Sequence, residues 1–154
     1  MINGHPESWL DGVSVENLKL FVANDPASPL QKTVNAMQIR WARNLKLKDV
    51  EVIWDKPASG KWQSALRLED AQDVELDGFR GRQAGAGMPA VRFTNVEDGV
   101  VRNSKALPAT AVFLEVTGEK TRAIRLFGND LGAAQTPYRL GSGVKRDAVS
   151  RAAP

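Results

Sequence analysis

Residues 12–18 read Gly12-Val13-Ser14-Val15-Glu16-Asn17-Leu18, with apolar and polar side chains alternating up to Asn17. Alternation of period two is the mark of a strand with one buried face. Segments 44–50, 73–79, 98–104 and 123–129 carry the same pattern. Their sixth positions are Asn17, Asp49, Gly78, Asn103 and Gly128, which stand 32, 29, 25 and 25 residues apart. Asn, Asp and Gly are the residues that tolerate the left-handed backbone conformation. One such residue bends a short strand into the next without a loop. The first positions, Gly12, Asn44, Asp73, Asp98 and Ala123, are again mostly turn formers.

A second alternating strand precedes each of the later bends, at residues 36–41, 65–69, 90–94 and 111–116. Proline and glycine gather between the repeats, at 23–33, 56–61, 81–89 and 105–110. Insertions confined to one place per repeat are what a solenoid tolerates along a free edge. The pattern predicts an all-β chain, a right-handed parallel β-helix of about five coils. Residues 1–140 form the coils, and the polar segment 141–154 is a C-terminal tail or cap. An antiparallel sandwich also repeats its strands, but it does not place the same bend chemistry at the same step five times. In a narrow coil, Val13, Leu45, Val74 and Ile124 stack in one row interrupted by Gly99. Val15, Leu47, Leu76, Val101 and Leu126 make a second row. Leu18, Val50 and Phe79 start a third, which turns polar at Ser104 and Asn129.

Composition narrows the chemistry. The 154 residues suffice for one domain with a real core. Cysteine is absent, which removes disulfides, thiol catalysis and thiolate metal sites. His5 is the only histidine, so no transition-metal site is expected. No apolar run approaches the roughly 18 residues that span a bilayer. The first residues lack the basic and apolar regions of a signal peptide. Net charge is +3, with seven basic against three acidic residues from Lys120 onward. A solvated mixed-charge surface explains that balance, and an acidic polymer is the partner it would favour. No nucleic acid and no membrane partner is expected.

Residues 44–54, together with Gly128-Asn129-Asp130-Leu131 and the opening stretch 4–13, resemble the C-terminal coils of bacterial polygalacturonase-like proteins of glycoside hydrolase family 28. The resemblance implies a pectin-lyase-like parallel β-helix, inverting hydrolysis of galacturonate-type bonds without a cofactor, and a secreted or periplasmic location. The family's Asn-Thr-Asp, Asp-Asp, Gly-His-Gly and Arg-Ile-Lys motifs are all absent, so no catalytic residue carries over. Those motifs lie N-terminal to such coils in the family. The chain is therefore expected to begin downstream of them, as a fragment missing its N-terminal β-helix coils.

Three groups of residues invite chemistry. Inverting hydrolysis needs two carboxyl groups about 6.5–9.5 Å apart, and Glu69, Asp70, Asp73, Glu75 and Asp77 are the densest acidic cluster. Charges on a strand edge also discourage aggregation, which accounts for the same cluster without catalysis. Trp54, Lys56, Lys61 and Trp62 flank a Pro/Gly-containing loop, and Arg80 and Arg82 lie on the next one. Indole faces stack on sugar rings and cations pair with uronate carboxylates. Alternatively, the two tryptophans pack on each other and pin the loop. His5 is a general acid–base candidate without a visible partner. The expected function is a C-terminal segment of a pectin-type glycoside hydrolase lacking its catalytic carboxylates. Acidic or neutral polysaccharide is the expected partner. The alternatives are a non-catalytic polysaccharide-binding or structural β-helix, and an enzyme using the 69–77 carboxylates.

Overall fold

A computed structural model describes residues 1–25, 27, 32–56 and 59–152. Parts of the 23–33 and 56–61 loops and the last two residues of the expected tail lie outside this set. The described residues form β1 (Ile2–Asn3), β2 (Leu10–Asp11), β3 (Ser14–Val22), β4 (Met37–Trp54), β5 (Leu66–Asp77), β6 (Arg80–Gly81), β7 (Pro89–Arg102), β8 (Lys105–Ala106), β9 (Thr110–Thr117), β10 (Arg122–Phe127), β11 (Ala134–Leu140) and β12 (Val149–Arg151). The ladders joining these strands are parallel. β4 lies between β3 and β5, β7 follows β5, and β9 and β10 both follow β7. Leu47 pairs with Leu76, Leu76 with Val101 and Val101 with Leu126, steps of 29, 25 and 25 residues. The interval between bends in the sequence is thus the interval between hydrogen-bonded neighbours, and the chain is a parallel β-solenoid of about five turns.

Three columns of bends shape each turn. The column expected at the sixth repeat position has φ of 54° at Asn17, 52° at Asp49, 74° at Gly78, 52° at Asn103 and 63° at Gly128. A second column runs through Gly12, Asn44, Asp73, Asp98 and Ala123, all with positive φ. The third, Trp41, Asp70 and Asn95, has φ of 51°, 51° and 53°. It falls at or just past the ends of the strands read at 36–41, 65–69 and 90–94, as a one-residue corner of its own ahead of the second column. Because each corner takes one residue, β4 runs 18 residues across three of them without losing its pairing. At Gly78 a side chain would also displace its neighbour. A Cβ there would lie 2.5 Å from Asp49 Oδ1, the side chain of the bend one coil earlier.

Corners divide the wall into a first face (37–40 in β4), a narrow edge (42–43), a second face (45–48) and a third face (50–54). Inward residues stack from coil to coil. Ile39, Leu68, Phe93 and Val116 line the first face, each fully buried. The edge lies between two corners and leaves little room inside, so Ala42, Ala71 and Val96 fill it. On the second face Leu45, Val74, Gly99 and Ile124 stand in register. The gap at Gly99 is taken by Ile124, whose Cδ1 would sit 2.9 Å from a Cβ added to the glycine. Phe79 meets Phe113 edge-on across the interior, with centroids 6.4 Å apart. Each such side chain contributes roughly 1.5–3 kcal/mol by leaving water.

The third row turns polar for a reason seen in its bonds. Phe79 N–H donates to Ser104 Oγ at 3.0 Å, and Ser104 N–H donates to Asn129 Oδ1 at 2.9 Å. Asn129 Nδ2 donates in turn to the Val101 carbonyl at 2.8 Å. Each polar side chain meets a backbone donor of the preceding coil just past its corner. A buried N–H left unpaired there would cost about 1–3 kcal/mol. Within 141–152, the segment expected as a tail or cap, β12 pairs in parallel with β10, and Ala148 and Val149 are buried.

The bend at Asp49 allows a direct check. Val in a left-handed position should cost about 1–2 kcal/mol. Asp49→Val is expected to melt several degrees below the parent in thermal denaturation, and coincident melts would contradict the assignment of Asp49 as an obligatory corner.

Candidate functional site

Outward side chains on a solenoid stack just as inward ones do, so a charge on one coil meets its partner one period later. The acidic cluster at 69–77 shows this. Glu69 receives Arg40 at 3.3 Å and Arg67 at 3.2 Å. Glu75 and Asp77 both pair with Arg102 of the next coil, Asp77 at 3.1 Å. Asp77 also accepts a hydrogen bond from Asn103 at 2.9 Å. Further along, Glu115 is buried between Arg92 at 2.7 Å and Arg139 at 2.7 Å. Asp98 holds Arg125 at 2.9 Å. These carboxylates act as acceptors for guanidinium groups and tie the coils together. Asp70 and Asp73 are both corner residues.

An open groove of about 280 Å³ crosses the second face, bordered by Asp73, Glu75, Asp98, Arg102 and Arg125. Val100 and Phe127 supply its apolar surface, and Phe127 is 39% exposed. The groove brings three carboxylates, two guanidinium groups and an aromatic ring to one place. Phe127 went unnoticed in the sequence because an apolar residue directly after Leu126 reads as part of the core. Its outward position in the alternation of β10, after inward Ile124 and Leu126, is the signal that marks it.

The tryptophan loop is arranged differently. Trp54 and Trp62 pack on each other, with centroids 5.1 Å apart and planes tilted by 33°. Trp62 is buried, and Trp54 Nε1 donates to the Arg82 carbonyl at 2.8 Å. The indoles therefore pin the loop and the following coil to the third face. Lys56 and Lys61 are exposed. Arg80 stands in register between Glu51 and Lys105, and it is the backbone of Arg82 that meets Trp54. Trp54 also borders a groove of about 180 Å³ with Ile53 and Phe21. Phe21 is 66% exposed, with Lys19 Nζ 5.6 Å from its ring centre. The structure thus gathers the two tryptophans and the Arg82 backbone.

Trp41 is a second residue missed at the sequence level. It holds a corner, and the Arg40 guanidinium lies 4.2 Å from its ring centre. His5 is exposed, and its Nδ1 accepts the Glu7 N–H at 3.2 Å, a local turn contact. Among the described residues no three His, Cys, Asp or Glu side chains gather as metal ligands, and no helix is long and apolar enough to cross a membrane.

Asp11 has the clearest electrostatic signature. The Asn44 amide at 2.6 Å, then the Arg43 guanidinium at 3.0 Å, hold its carboxyl below the usual carboxylate range. A lowered folded-state value means that this contact favours the fold above the ordinary aspartate pKa of about 3.9 and is lost as pH falls through the folded value. A carbon-detected titration is expected to place the Asp11 midpoint below that of a free aspartate, and Asn44→Ala to move it back up. An unshifted midpoint would contradict the side-chain contact of Asp11 with Asn44 and Arg43. No family profile, curated protein or solved structure matches this chain.

Proposed function

We propose that this chain is a saccharide-binding segment of a polygalacturonase-like β-helix, one that supplies substrate contacts rather than the catalytic carboxylates. The observation that carries this reading is the second-face groove, where Phe127 and Val100 lie beside Arg102, Arg125 and three carboxylates. A pyranose presents a C–H face that suits an aromatic ring and hydroxyls that suit charged acceptors and donors. A uronate adds a carboxylate that an arginine takes with paired N–H groups. The neighbouring acidic residues support a binding role over a hydrolytic one. Glu69, Glu75 and Asp77 are engaged by arginines of their own and neighbouring coils, so their oxygens already serve contacts within the fold.

A structural β-helix is the second reading, favoured by the same ion pairs, since they join coil to coil. Titration of the folded chain with oligogalacturonate by calorimetry separates the two. The binding role predicts saturable binding without release of reducing ends, weakened at least fivefold by Phe127→Ala with the melting temperature unchanged. Absence of binding would leave the structural reading. Release of reducing ends, lost on Asp73→Asn, would overturn both.

A further inference from the structure

The two ends of the solenoid differ. At the N-terminal end, Ile2, Leu10, Val13, Val15, Leu18 and Leu20 are only partly buried apolar side chains. Each begins a column whose next member is buried. Ile2 stands over Ile39, Leu10 over Ala42, Val15 over Leu47, Leu18 over Val50 and Leu20 over Val52, and those five are at most 2% exposed. Among the described residues β3 pairs with β4 alone, and no strand pairs with its other edge. At the opposite end Arg151 stands in register over Leu126, which places a charge at the head of an apolar column. Ala148 and Val149 cover the neighbouring column there.

We propose that the N-terminal end is an interface for a further parallel β-coil lying outside the present sequence. Such a coil continues the β3–β4 contact by one more step: it pairs with the open edge of β3 and sets inward apolar residues on the six partly buried column ends. A second copy of this chain does not fit. Stacked head to tail, it would bury Arg151 against Val15. Stacked head to head about a two-fold axis that superposes the bends at Gly12 and Asn17, it would set Val13 against Glu16 and Val15 against Ser14, inward residues against outward ones.

The test is a fusion that preserves the register. Ile2 shares a column with Leu68 and Phe93. A copy of residues 66–91 joined ahead of Met1 therefore puts Met1 where Arg92 follows Val91. Hydrogen exchange across 14–22 is then compared in the fused and unfused chains, alongside sedimentation of the unfused chain. The proposal predicts a monomeric unfused chain whose edge amides in β3 exchange quickly, at least tenfold slower exchange in the fusion, and loss of that protection in the fusion carrying Val15→Lys. Unchanged exchange in a fusion that keeps its own strand signature would overturn it. So would an unfused chain that is already dimeric and is split by Val15→Lys, because the occupant would then be a second copy.

Discussion

Everything in this fold depends on turning the backbone through a corner with one residue. A residue at φ near +50° redirects the strand while its neighbours keep extended geometry and their inter-coil hydrogen bonds. Three such corners close each turn, and because they recur at the same place in every coil, the flat stretches between them stack in parallel. A bulky L-residue pays about 1–2 kcal/mol at such a position, which is why Asn, Asp and Gly hold most of them. Trp41 and Ala123 are the costlier members, at φ of 51° and 55°. Trp41 is held by its surroundings. Its ring lies beside Arg40, and its carbonyl is approached so closely by Gly4 that a Cβ there would sit 2.4 Å from the oxygen.

Stacking in register has two consequences. Inside, it turns the core into columns, where a change in one side chain must be answered by the next. Gly99 and Ile124 show that answer in volume, and Ser104 with Asn129 shows it in hydrogen bonding. Outside, it lines up charges from different coils. Arg102 reaches Glu75 and Asp77, which are 27 and 25 residues away in the chain, and Glu115 lies between Arg92 and Arg139. Ion pairs at a surface are individually worth up to about 1 kcal/mol. Arranged along a column, they also favour one register over a slipped one.

The corner at the sixth repeat position was legible because its residues belong to the few types that accept a left-handed backbone, and they recur. The inward rows followed from the alternation alone. The corner at Trp41, Asp70 and Asn95 was hidden by its first member, since an indole gives no sign of a left-handed residue and the flanking pattern reads as strand. The acidic cluster was legible as a cluster. Its partner Arg102 was not, because Arg and Asp become neighbours only when the 25-residue register is applied to the outward residues as well as the inward ones. The tryptophan loop carried two readings, and the packing of the Trp54 ring on the buried Trp62 matches the one in which they pin the loop. The aromatic residues left open, Phe21 and Phe127, occupy outward positions where the alternation calls for a polar side chain.

The central claim is the parallel stack in a single register, and methyl-to-methyl distance contacts in solution test it most directly. Contacts are expected that link Leu47 to Leu76, Leu76 to Val101 and Val101 to Leu126, at separations of 29, 25 and 25 residues. Contacts that instead link strands in antiparallel order, with one residue number rising as the other falls, would contradict the solenoid and with it every site described on its faces.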